Sequence, residues 1–503
     1  MNAVSYLHLL KLAGPETLVV LAALVALLAD LTVMRGQPGR FRRRIAALIS
    51  GVGCGAAGLY LAQVSVHGTT FGGMFTVDPL TQFVKLMLVA LTLLTVVLSL
   101  EADYTDHVGE HFALLLLATS GMMFMASAAD LLMVFLALEL SSLSLYSLAA
   151  LNKASERSAE GALKYFLFGA LAAAFTLFGF SFLYGLTGAT HLAEVAAGLR
   201  GRGFDPLLAV AVVLTLVGFG FKVAAVPFHL WAPDAYQGAP TPAAALIASG
   251  SKLAGFFLLG RFVVLTLPET TGQAAWKNFT AGWVPAVAVL ALASMIVGNL
   301  AALAQRNLKR LLAYSAIAHA GYLLLAVLAL AGAASRSDAF AALVYYAGTY
   351  ALGSLGAFAA AGFLERTRGD AAIAGLAGTG RAAPVIAAGL LVFMFSLAGL
   401  PPLAGFPAKF YVFAAALNAG PAPAAPFWLV ATGLALSPVA LYYYLLVLKQ
   451  TYVVAAPSDA PSGCSTWSET LVVTVAAGGV LGLGLFPQLL LGPLVRAIQS
   501  AGL

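Results

Sequence analysis

The sequence predicts an all-α polytopic membrane protein that crosses the bilayer about fourteen times. Of its 503 residues, 61% are hydrophobic and only 9% are charged, proportions that exclude an ordinary soluble domain. The mean hydropathy is +0.95. Apolar runs of roughly 20 residues recur along the chain, which is the length a helix needs to cross a bilayer. Because no polar linker is long enough to hold a soluble domain, we interpret residues 1–503 as a single membrane domain.

Each predicted span is a window of about 20 mainly apolar residues. The spans are 16–34, 45–66, 79–99, 111–128, 131–151, 163–185, 207–230, 241–266, 283–303, 309–331, 340–364, 384–416, 427–449 and 469–490. The net charge of +6 lies mostly in the short loops between them. Since basic residues in such loops set membrane orientation, this charge does not indicate nucleic-acid binding.

The first loop predicts the orientation of the protein. Residues 35–44 contain Arg35, Arg40, Arg42, Arg43 and Arg44. Basic loops stay in the cytoplasm, so the N-terminus lies outside, and an even number of spans returns the C-terminus to the periplasmic side. The same assignment places further basic residues inside, namely Lys153, Arg157, Arg306, Lys309, Arg310, Arg366, Arg368 and Arg381. Arg200 and Arg202 run against the trend.

Residues 221–252 form the most unusual stretch of the chain. Lys222 and Lys252 flank Pro227 there, and a lysine inside an apolar membrane helix costs roughly 2.5–3.5 kcal/mol. Pro227 has no N–H, so the carbonyl of Val223 loses its helical partner. A membrane tolerates such a gap only where protein or water fills it. We therefore predict a hydrated, charged and discontinuous helix in the middle of the bilayer.

A weak internal repeat surrounds this helix. The fourth to eighth spans, about 111–266, and the ninth to thirteenth spans, about 283–449, each contain a proline-broken helix in fourth place. The second break lies in SLAGLPPLAGFPAKF. Blocks with an odd number of spans alternate in direction, so the sequence predicts two inverted five-helix repeats. Interrupted helices at matching positions of inverted repeats point to ion sites near the membrane midplane.

Glu139 is the first candidate for proton transfer, and its helical face continues through Ser142 and Tyr146. A buried carboxylate needs a partner or a proton, and Lys222 and Lys252 are the nearby cations. A structural ion pair that fixes helix register is the alternative. Ionisable groups inside a membrane are functional by default, which favours proton transfer.

His319 is a further candidate, with Ser315 and Tyr322 on the same helical stripe. A lone buried histidine is often only a hydrogen-bonded core residue, but this stripe favours a proton relay. Lys409 follows Pro401 and Pro402 in the second broken helix, where it is the counterpart of Lys222.

Lys309 ranks below the other lysines. It lies near the cytoplasmic end of the tenth span, where a lysine side chain can extend to the membrane surface.

The candidate set for proton translocation is therefore Glu139, Lys222, Lys252, His319 and Lys409. The proton affinity of one buried group depends on the charges beside it. Movement of Glu139 relative to Lys222 would change whether Lys222 holds its proton. Such an electrostatic switch suits proton transfer better than binding of an organic substrate. We expect the five groups to form a row parallel to the membrane, bridged by water.

Five stretches of the chain resemble a known family. They are SGMMFMASAADLLMVFLALELSSLSLYSLAAL, GALKYFLFGA, FKVAAVPFHLWAPDAYQGAPTPAAALIASGSK, GNLAALAQRNLKRLLAYSAIAHAGYLLL and SLAGLPPLAGFPAKFYVF. They resemble the antiporter-like membrane subunits of respiratory complex I, most closely the subunit N type. By this resemblance the candidates match the family's ionisable residues on helices five, seven, eight, ten and twelve, which are Glu139, Lys222, Lys252, His319 and Lys409 in that order.

The resemblance implies a proton-translocating subunit of a bacterial NADH-quinone oxidoreductase, in the plasma membrane and next to subunits M and K. It implies no redox centre in this chain, since FMN, iron–sulfur clusters and quinone belong to other subunits. The two cysteines, Cys54 and Cys464, lack the partners that an iron–sulfur cluster or a zinc site needs. Two alternatives are a subunit of a sodium/proton antiporter or membrane-bound hydrogenase, and a purely structural spacer.

Overall fold

The computed structural model describes residues 6–64, 67–101, 103–274, 279–332, 336–418, 427–455 and 464–502. Within these ranges the protein is a helical bundle with one small antiparallel hairpin, formed by β1 (Gly68–Thr70) and β2 (Phe75–Val77). The predicted all-α membrane architecture is confirmed, because the hairpin strands have only three residues each.

The α-helices in the described ranges follow one another with short connections. They are α1 Tyr6–Leu12, α2 Gly14–Leu31, α3 Gly39–Gln63, α4 Pro79–Leu98, α5 Val108–Ser127, α6 Leu131–Ala149, α7 Glu156–Thr187, α8 Leu192–Leu199, α9 Pro206–Lys222, α10 Trp231–Gly238, α11 Thr241–Ala248, α12 Gly250–Thr266, α13 Trp283–Leu303, α14 Leu308–Ala329, α15 Arg336–Arg368, α16 Thr379–Ala382, α17 Pro384–Ala398, α18 Gly405–Leu417, α19 Phe427–Tyr452, α20 Trp467–Leu485 and α21 Gln488–Ser500.

Twelve helical segments in the described part of the chain are long and apolar enough to cross a membrane, with α11 and α12 counted as one. Three shorter apolar helices, α9, α17 and α18, have 17, 15 and 13 residues. At a rise of about 1.5 Å per residue, none of these three spans a bilayer alone. The count of fourteen spans therefore remains a prediction, which requires α9 to join α10 and α17 to join α18.

Both predicted helix breaks are present. The first separates α9 from α10 over residues 223–230, and the second separates α17 from α18 over residues 399–404. Two hydrogen bonds stabilise the first break: the Val226 N–H donates to Ser294 Oγ of α13 at 2.9 Å, and Trp231 Nε1, at the start of α10, donates to the Phe221 carbonyl at 3.3 Å. Since the seventh and twelfth segments are interrupted where the prolines predict, the breaks follow from local sequence. The inverted relation between the two blocks remains a prediction.

Helix α15 is the central element of the bundle. It has 33 residues and packs against α11, α12, α14, α17, α18 and α20. Small residues permit close approach elsewhere, most clearly between α13 and α14. A Cβ atom on Gly298 would lie 2.4 Å from the backbone nitrogen of Ala318, so only glycine fits there. This packing holds α14 against its neighbours and fixes the position of the residues that it carries.

The first three long helices contain a buried ion pair that the sequence analysis did not identify. Lys85 Nζ on α4 lies 2.7 Å from Glu16 Oε1 on α2, and both side chains are 1% exposed. The same ammonium lies 4.7 Å from the centre of the Phe75 ring in β2. The pair therefore joins α2, α4 and the hairpin on one side of the bundle.

Candidate functional site

Lys222 is the last residue of α9, directly before the first break. Its ammonium donates to Ser141 Oγ at 3.2 Å and to Ser142 Oγ at 3.1 Å, both on α6. Glu139 lies on the same helix and interacts with Lys222 electrostatically, although the ammonium forms its hydrogen bonds with the serines. The predicted proximity of Glu139 and Lys222 is therefore present in the structure.

Glu139 and Lys222 border one small crevice between α6, α7 and α9. Ser142 and Tyr146 line the same crevice, so the predicted polar face of α6 points into it. Its volume is about 20 Å³, which is room for a single water molecule. Glu139 is half-buried here, whereas Lys222 is only 4% exposed. The crevice allows one water molecule to connect a carboxylate with an ammonium.

Lys252 fills the gap that Pro227 opens. Its ammonium donates to the carbonyl of Val223 at 2.6 Å, and Val223 is the residue four positions before the proline. A second hydrogen bond of 3.2 Å reaches the carbonyl of Ala316 on α14. Protein therefore satisfies the unpaired carbonyl, as a membrane requires. The same ammonium connects the first break to the helix that carries His319.

The second break has the same arrangement. Lys409 donates to the carbonyl of Ala398 at 2.8 Å, and the residue four positions after Ala398 is Pro402, which has no N–H to offer. In both broken helices a lysine ammonium thus donates a hydrogen bond to the carbonyl that a proline leaves unpaired. The sequence predicted Lys409 as the counterpart of Lys222, because each lies in a broken helix. In its hydrogen bonding, however, Lys409 corresponds to Lys252, since both donate to the carbonyl four residues before a proline.

His319 lies between aromatic hydroxyl groups. Its Nδ1 shares a 2.8 Å hydrogen bond with the Tyr346 hydroxyl on α15, and its Nε2 lies 3.4 Å from the Tyr444 hydroxyl on α19. Tyr444 in turn shares a hydrogen bond of 2.5 Å with Ser315. The predicted connection of His319 with Ser315 therefore passes through a tyrosine from another helix.

Tyr322 has a different place from the one the helical stripe predicted. It contacts His319 only ring to ring, with centroids 5.9 Å apart, while its hydroxyl accepts from Asn299 Nδ2 at 3.4 Å. Its ring faces Lys409, whose ammonium lies 5.0 Å from the ring centre. Since an aromatic face attracts a cation, Tyr322 holds the lysine rather than extending the hydrogen-bond chain of the histidine.

The five candidates form one connected row across α6, α9, α12, α14 and α18. Lys252 connects two of them, because its ammonium donates to the carbonyl of Val223, which follows Lys222, and to that of Ala316, one turn before His319. Tyr322, one turn after His319, connects the histidine to Lys409 through its ring. The three lysines and the histidine are all buried, with Lys222, Lys252, His319 and Lys409 at 4%, 2%, 3% and 6% exposure. None of these four side chains faces lipid.

Lys309 does not extend to the membrane surface, so that expectation was wrong. Its side chain is only 2% exposed and donates to the Ala239 carbonyl at 2.6 Å and to Glu365 at 2.9 Å. Glu365 also accepts a hydrogen bond from the Thr241 hydroxyl. The reason is the fold, because α14 begins beneath the turn between α10 and α11, and α15 closes the other side.

This ion pair borders a polar cavity of about 390 Å³ at the end of the bundle that carries loop 35–44. The turn at residues 239–242 lines it and leads directly into α11 and then into α12, the helix that carries Lys252. Nearby, Asp234 of α10 accepts from Lys164 at 2.7 Å and also pairs with Arg310. Ion pairs therefore fix the second half of the broken helix beside an opening to solvent.

Sequence reasoning missed Tyr346, Tyr444 and Glu365 as parts of the site. All three lie on helices far along the chain from their partners, so no local spacing connects them. The tyrosines did carry a signal, because a pair of tyrosines at 345–346 and a run of three at 442–444 lie inside apolar segments. A buried tyrosine hydroxyl usually requires a hydrogen-bond partner.

Comparison with known proteins places the chain in a defined group. A family model described as NADH:quinone oxidoreductase/Mrp antiporter, TM, matches residues 128–435, more than half of the chain. A protein of Acidobacterium capsulatum named NADH-quinone oxidoreductase subunit N 2 is 47% identical over 500 residues, which cover 98% of this chain and 99% of that protein.

Solved structures agree with this grouping. A chain of respiratory complex I from Thermus thermophilus superimposes with a TM-score of 0.77 at 35% identity, covering 95% of this chain and 98% of that one. A chain of the Mrp complex from Dietzia sp. DQ12-45-1b has a TM-score of 0.81 at 20% identity, with 97% of each chain covered. The second likeness concerns the fold alone.

Proposed function

Since this chain belongs to the NADH:quinone oxidoreductase/Mrp antiporter family, and within it to the subunit N group, we propose that it translocates protons as a membrane subunit of a bacterial NADH-quinone oxidoreductase. The assembled enzyme transfers electrons from NADH to quinone. FMN, the iron–sulfur clusters and quinone are held by other subunits, and this chain supplies the proton path. Its neighbours in the complex are subunits M and K.

In this proposal the protein lies in the inner membrane with loop 35–44 in the cytoplasm and both termini in the periplasm. The positive-inside rule supports the assignment. The ion pairs agree with it, because Arg42 with Asp30 and Arg366 with Glu469 join segments that the rule places on the same side. Two inverted repeats, about 111–266 and 283–449, then bring the broken helices to the midplane.

The single observation that carries the proposal is the row formed by the half-buried Glu139 and the buried Lys222, Lys252, His319 and Lys409. Burying this many ionisable groups in a membrane bundle is costly, and a spacer that only separates its neighbours has no need of them. The spacer alternative is therefore disfavoured. Gaps between members exceed direct hydrogen-bond reach, so water molecules complete the path.

The proton moves along the row in response to an electrostatic change. Redox chemistry on other subunits shifts Glu139 relative to Lys222, which changes whether Lys222 retains its proton. Lys222 then exchanges a proton with Lys252 across the first break, and His319 passes it on toward Lys409. The serines and tyrosines around these groups orient the donors and acceptors. The row runs parallel to the membrane and is not a pore along the membrane normal.

Copurification tests the assignment against its main alternative, a subunit of an Mrp-type sodium/proton antiporter or of a membrane-bound hydrogenase. The tagged chain, extracted in mild detergent and separated on a blue-native gel, should comigrate with flavin and iron–sulfur subunits and with NADH-dependent quinone reductase activity. Comigration with other antiporter subunits alone, without flavin, would support the alternative.

Glu139 and Lys222 should act as one coupled unit. We expect Glu139→Ala and Lys222→Ala each to impair proton pumping, and the double variant to lose less than the sum of the two losses in free energy. The reason is that each variant already removes the interaction between the two groups. Pumping in membrane vesicles, measured by a pH-sensitive dye, gives the double-mutant cycle. Strict additivity would contradict the coupling.

The pair of Lys309 and Glu365 should control proton entry from the cytoplasmic cavity. We expect Glu365→Gln to lower proton pumping and quinone reductase activity several-fold, less than the roughly hundredfold or more that a positioned proton-transfer group typically contributes. The neutral amide keeps its size but cannot carry a proton into the bundle. Arg306→Ala, which removes an exposed charge three residues before Lys309, is the control. Wild-type pumping by assembled Glu365→Gln complex would exclude this entry route.

A further inference from the structure

A groove outside the row of ionisable groups lies between α3, α4 and the start of α20. Its volume is about 760 Å³, and it begins at the end of the bundle that carries loop 35–44. Its lining combines two arginines, Arg40 and Arg44, and one carboxylate, Glu101, with apolar residues of α3 and α4 and with Trp467. It lies outside the region matched by the family model, and the proton path does not use it.

Two unpaired arginines stand at the mouth of the groove. In the same short stretch, Arg42 pairs with Asp30 at 2.5 Å and Arg43 pairs with Asp103 at 2.7 Å. Arg40 and Arg44, in contrast, have no hydrogen bond or ion pair from their side chains to any residue in the described ranges, and both are exposed. Four residues apart, they project from one face of α3. Their charges are available to a ligand.

The mouth favours an anion for a second reason. Helix α3 begins at Gly39, so Arg40 lies in its first turn, where the helix dipole attracts negative charge, and Arg44 lies one turn further along the same face. Glu101 is the one carboxylate on the groove lining, opposite two guanidinium groups. Guanidinium groups bind phosphate through paired, directional hydrogen bonds.

Below the arginines the groove becomes apolar. Leu48 and Val52 continue the arginine face of α3, and both are 63% exposed. Leu93 and Val97 of α4 form the opposite wall. Trp467, 61% exposed, stands at the rim, and tryptophan is typical of the boundary between lipid headgroups and acyl chains. Charge at the mouth and hydrocarbon along the walls match an amphiphile rather than a soluble anion.

We propose that this groove binds an anionic phospholipid of the leaflet on the side of loop 35–44. The phosphate lies between Arg40 and Arg44, and an acyl chain follows Leu48, Val52 and Val97 toward the centre of the bilayer. A zwitterionic lipid offers the same chain and a phosphate but no net charge. Each basic residue near an anionic lipid should therefore add a roughly fivefold preference for it. The row of ionisable groups has no part in this site.

Quenching of Trp467 fluorescence tests the proposal. The full chain is reconstituted into nanodiscs of phosphatidylcholine that contain increasing fractions of dibrominated phosphatidylglycerol or, separately, dibrominated phosphatidylcholine. Subtracting the signal of Trp467→Phe isolates this tryptophan from the other four. We expect phosphatidylglycerol to reach half-maximal quenching at a several-fold lower fraction, and Arg40→Ala with Arg44→Ala to abolish the preference. Arg306→Ala with Arg381→Ala, which removes two exposed charges elsewhere, should leave it unchanged.

A filled groove provides an independent check. A Cβ on Gly51 would have nothing within 4 Å, so Gly51→Leu places a side chain in the groove without a backbone clash. It should weaken quenching by both lipids, whereas Gly185→Leu, at an equally open glycine on α7, should not. The proposal would be overturned if the two lipids quenched Trp467 equally and the arginine variants left this quenching unchanged. So would resistance to both lipids in the wild-type chain, as expected if a partner helix filled the groove.

Discussion

Lys222→Ala should abolish most proton pumping and quinone reductase activity together. The ammonium lies at the end of α9, hydrogen-bonded to Ser141 and Ser142 and electrostatically coupled to Glu139, so its loss interrupts the row between Glu139 and Lys252. A positioned proton-transfer group contributes on the order of a hundredfold or more, and we expect losses of at least tenfold for a step that is coupled to turnover. Both activities are measured in inverted vesicles with NADH as donor.

The controls separate proton transfer from assembly. Lys222→Arg should be a poor substitute, because arginine keeps its charge but does not release its proton. Lys449→Ala, at an exposed lysine near the end of α19, should behave as wild type. Blue-native gels must find comparable amounts of complex for each variant. Normal pumping by fully assembled Lys222→Ala would remove Lys222 from the mechanism.

Lys85→Met should cause the largest loss of stability among single changes outside the row. It leaves the carboxylate of Glu16 buried without its cation, and breaking a buried pair in this way costs about 3–5 kcal/mol. The methionine keeps the length of the side chain, so lost packing contributes little. Thermal unfolding of the detergent-solubilised chain gives the measurement, with Lys449→Met as the control at an exposed lysine.

The double variant Glu16→Gln with Lys85→Met distinguishes charge from packing. The double variant leaves neither of these two positions with a buried charge, and replacing a whole buried ion pair is often neutral or stabilising. We expect the double variant to unfold close to the wild-type temperature. If it unfolds as early as Lys85→Met, the pair matters through shape and contacts rather than through charge.

The positions of the breaks and of the five candidates were predictable from sequence because their signals are local. A proline removes a particular hydrogen bond, and an ionisable residue within an apolar window is costly wherever the chain folds. The carbonyl of Val223 could be named as the unpaired group on these grounds alone. Its partner, Lys252, could not, because 29 residues and a reversal of direction separate the two.

The remaining parts of the site depend on which helices become neighbours. The hydrogen bonds of His319 to Tyr346 and Tyr444 join α14 to α15 and α19, and helical periodicity suggested Tyr322 instead. Lys309 was expected to reach solvent because its position along the helix allowed it. Burial beneath the 239–242 turn and pairing with Glu365 result from tertiary packing, which no spacing within α14 encodes.

The hydrogen bonds from Lys252 and Lys409 to the unpaired carbonyls at the two breaks couple the backbone position of each break to the charge of its lysine. A hydrogen bond from an ammonium is roughly twice as strong as one from a neutral amine. When Lys252 or Lys409 gives up its proton, the bond to Val223 or Ala398 weakens, and the interrupted helix is held less firmly. By reciprocity, a pull on either helix break alters how tightly the lysine retains its proton. In the proposed mechanism, each break would then act as a transducer that converts displacement of a half-helix into proton release by its lysine, and back again.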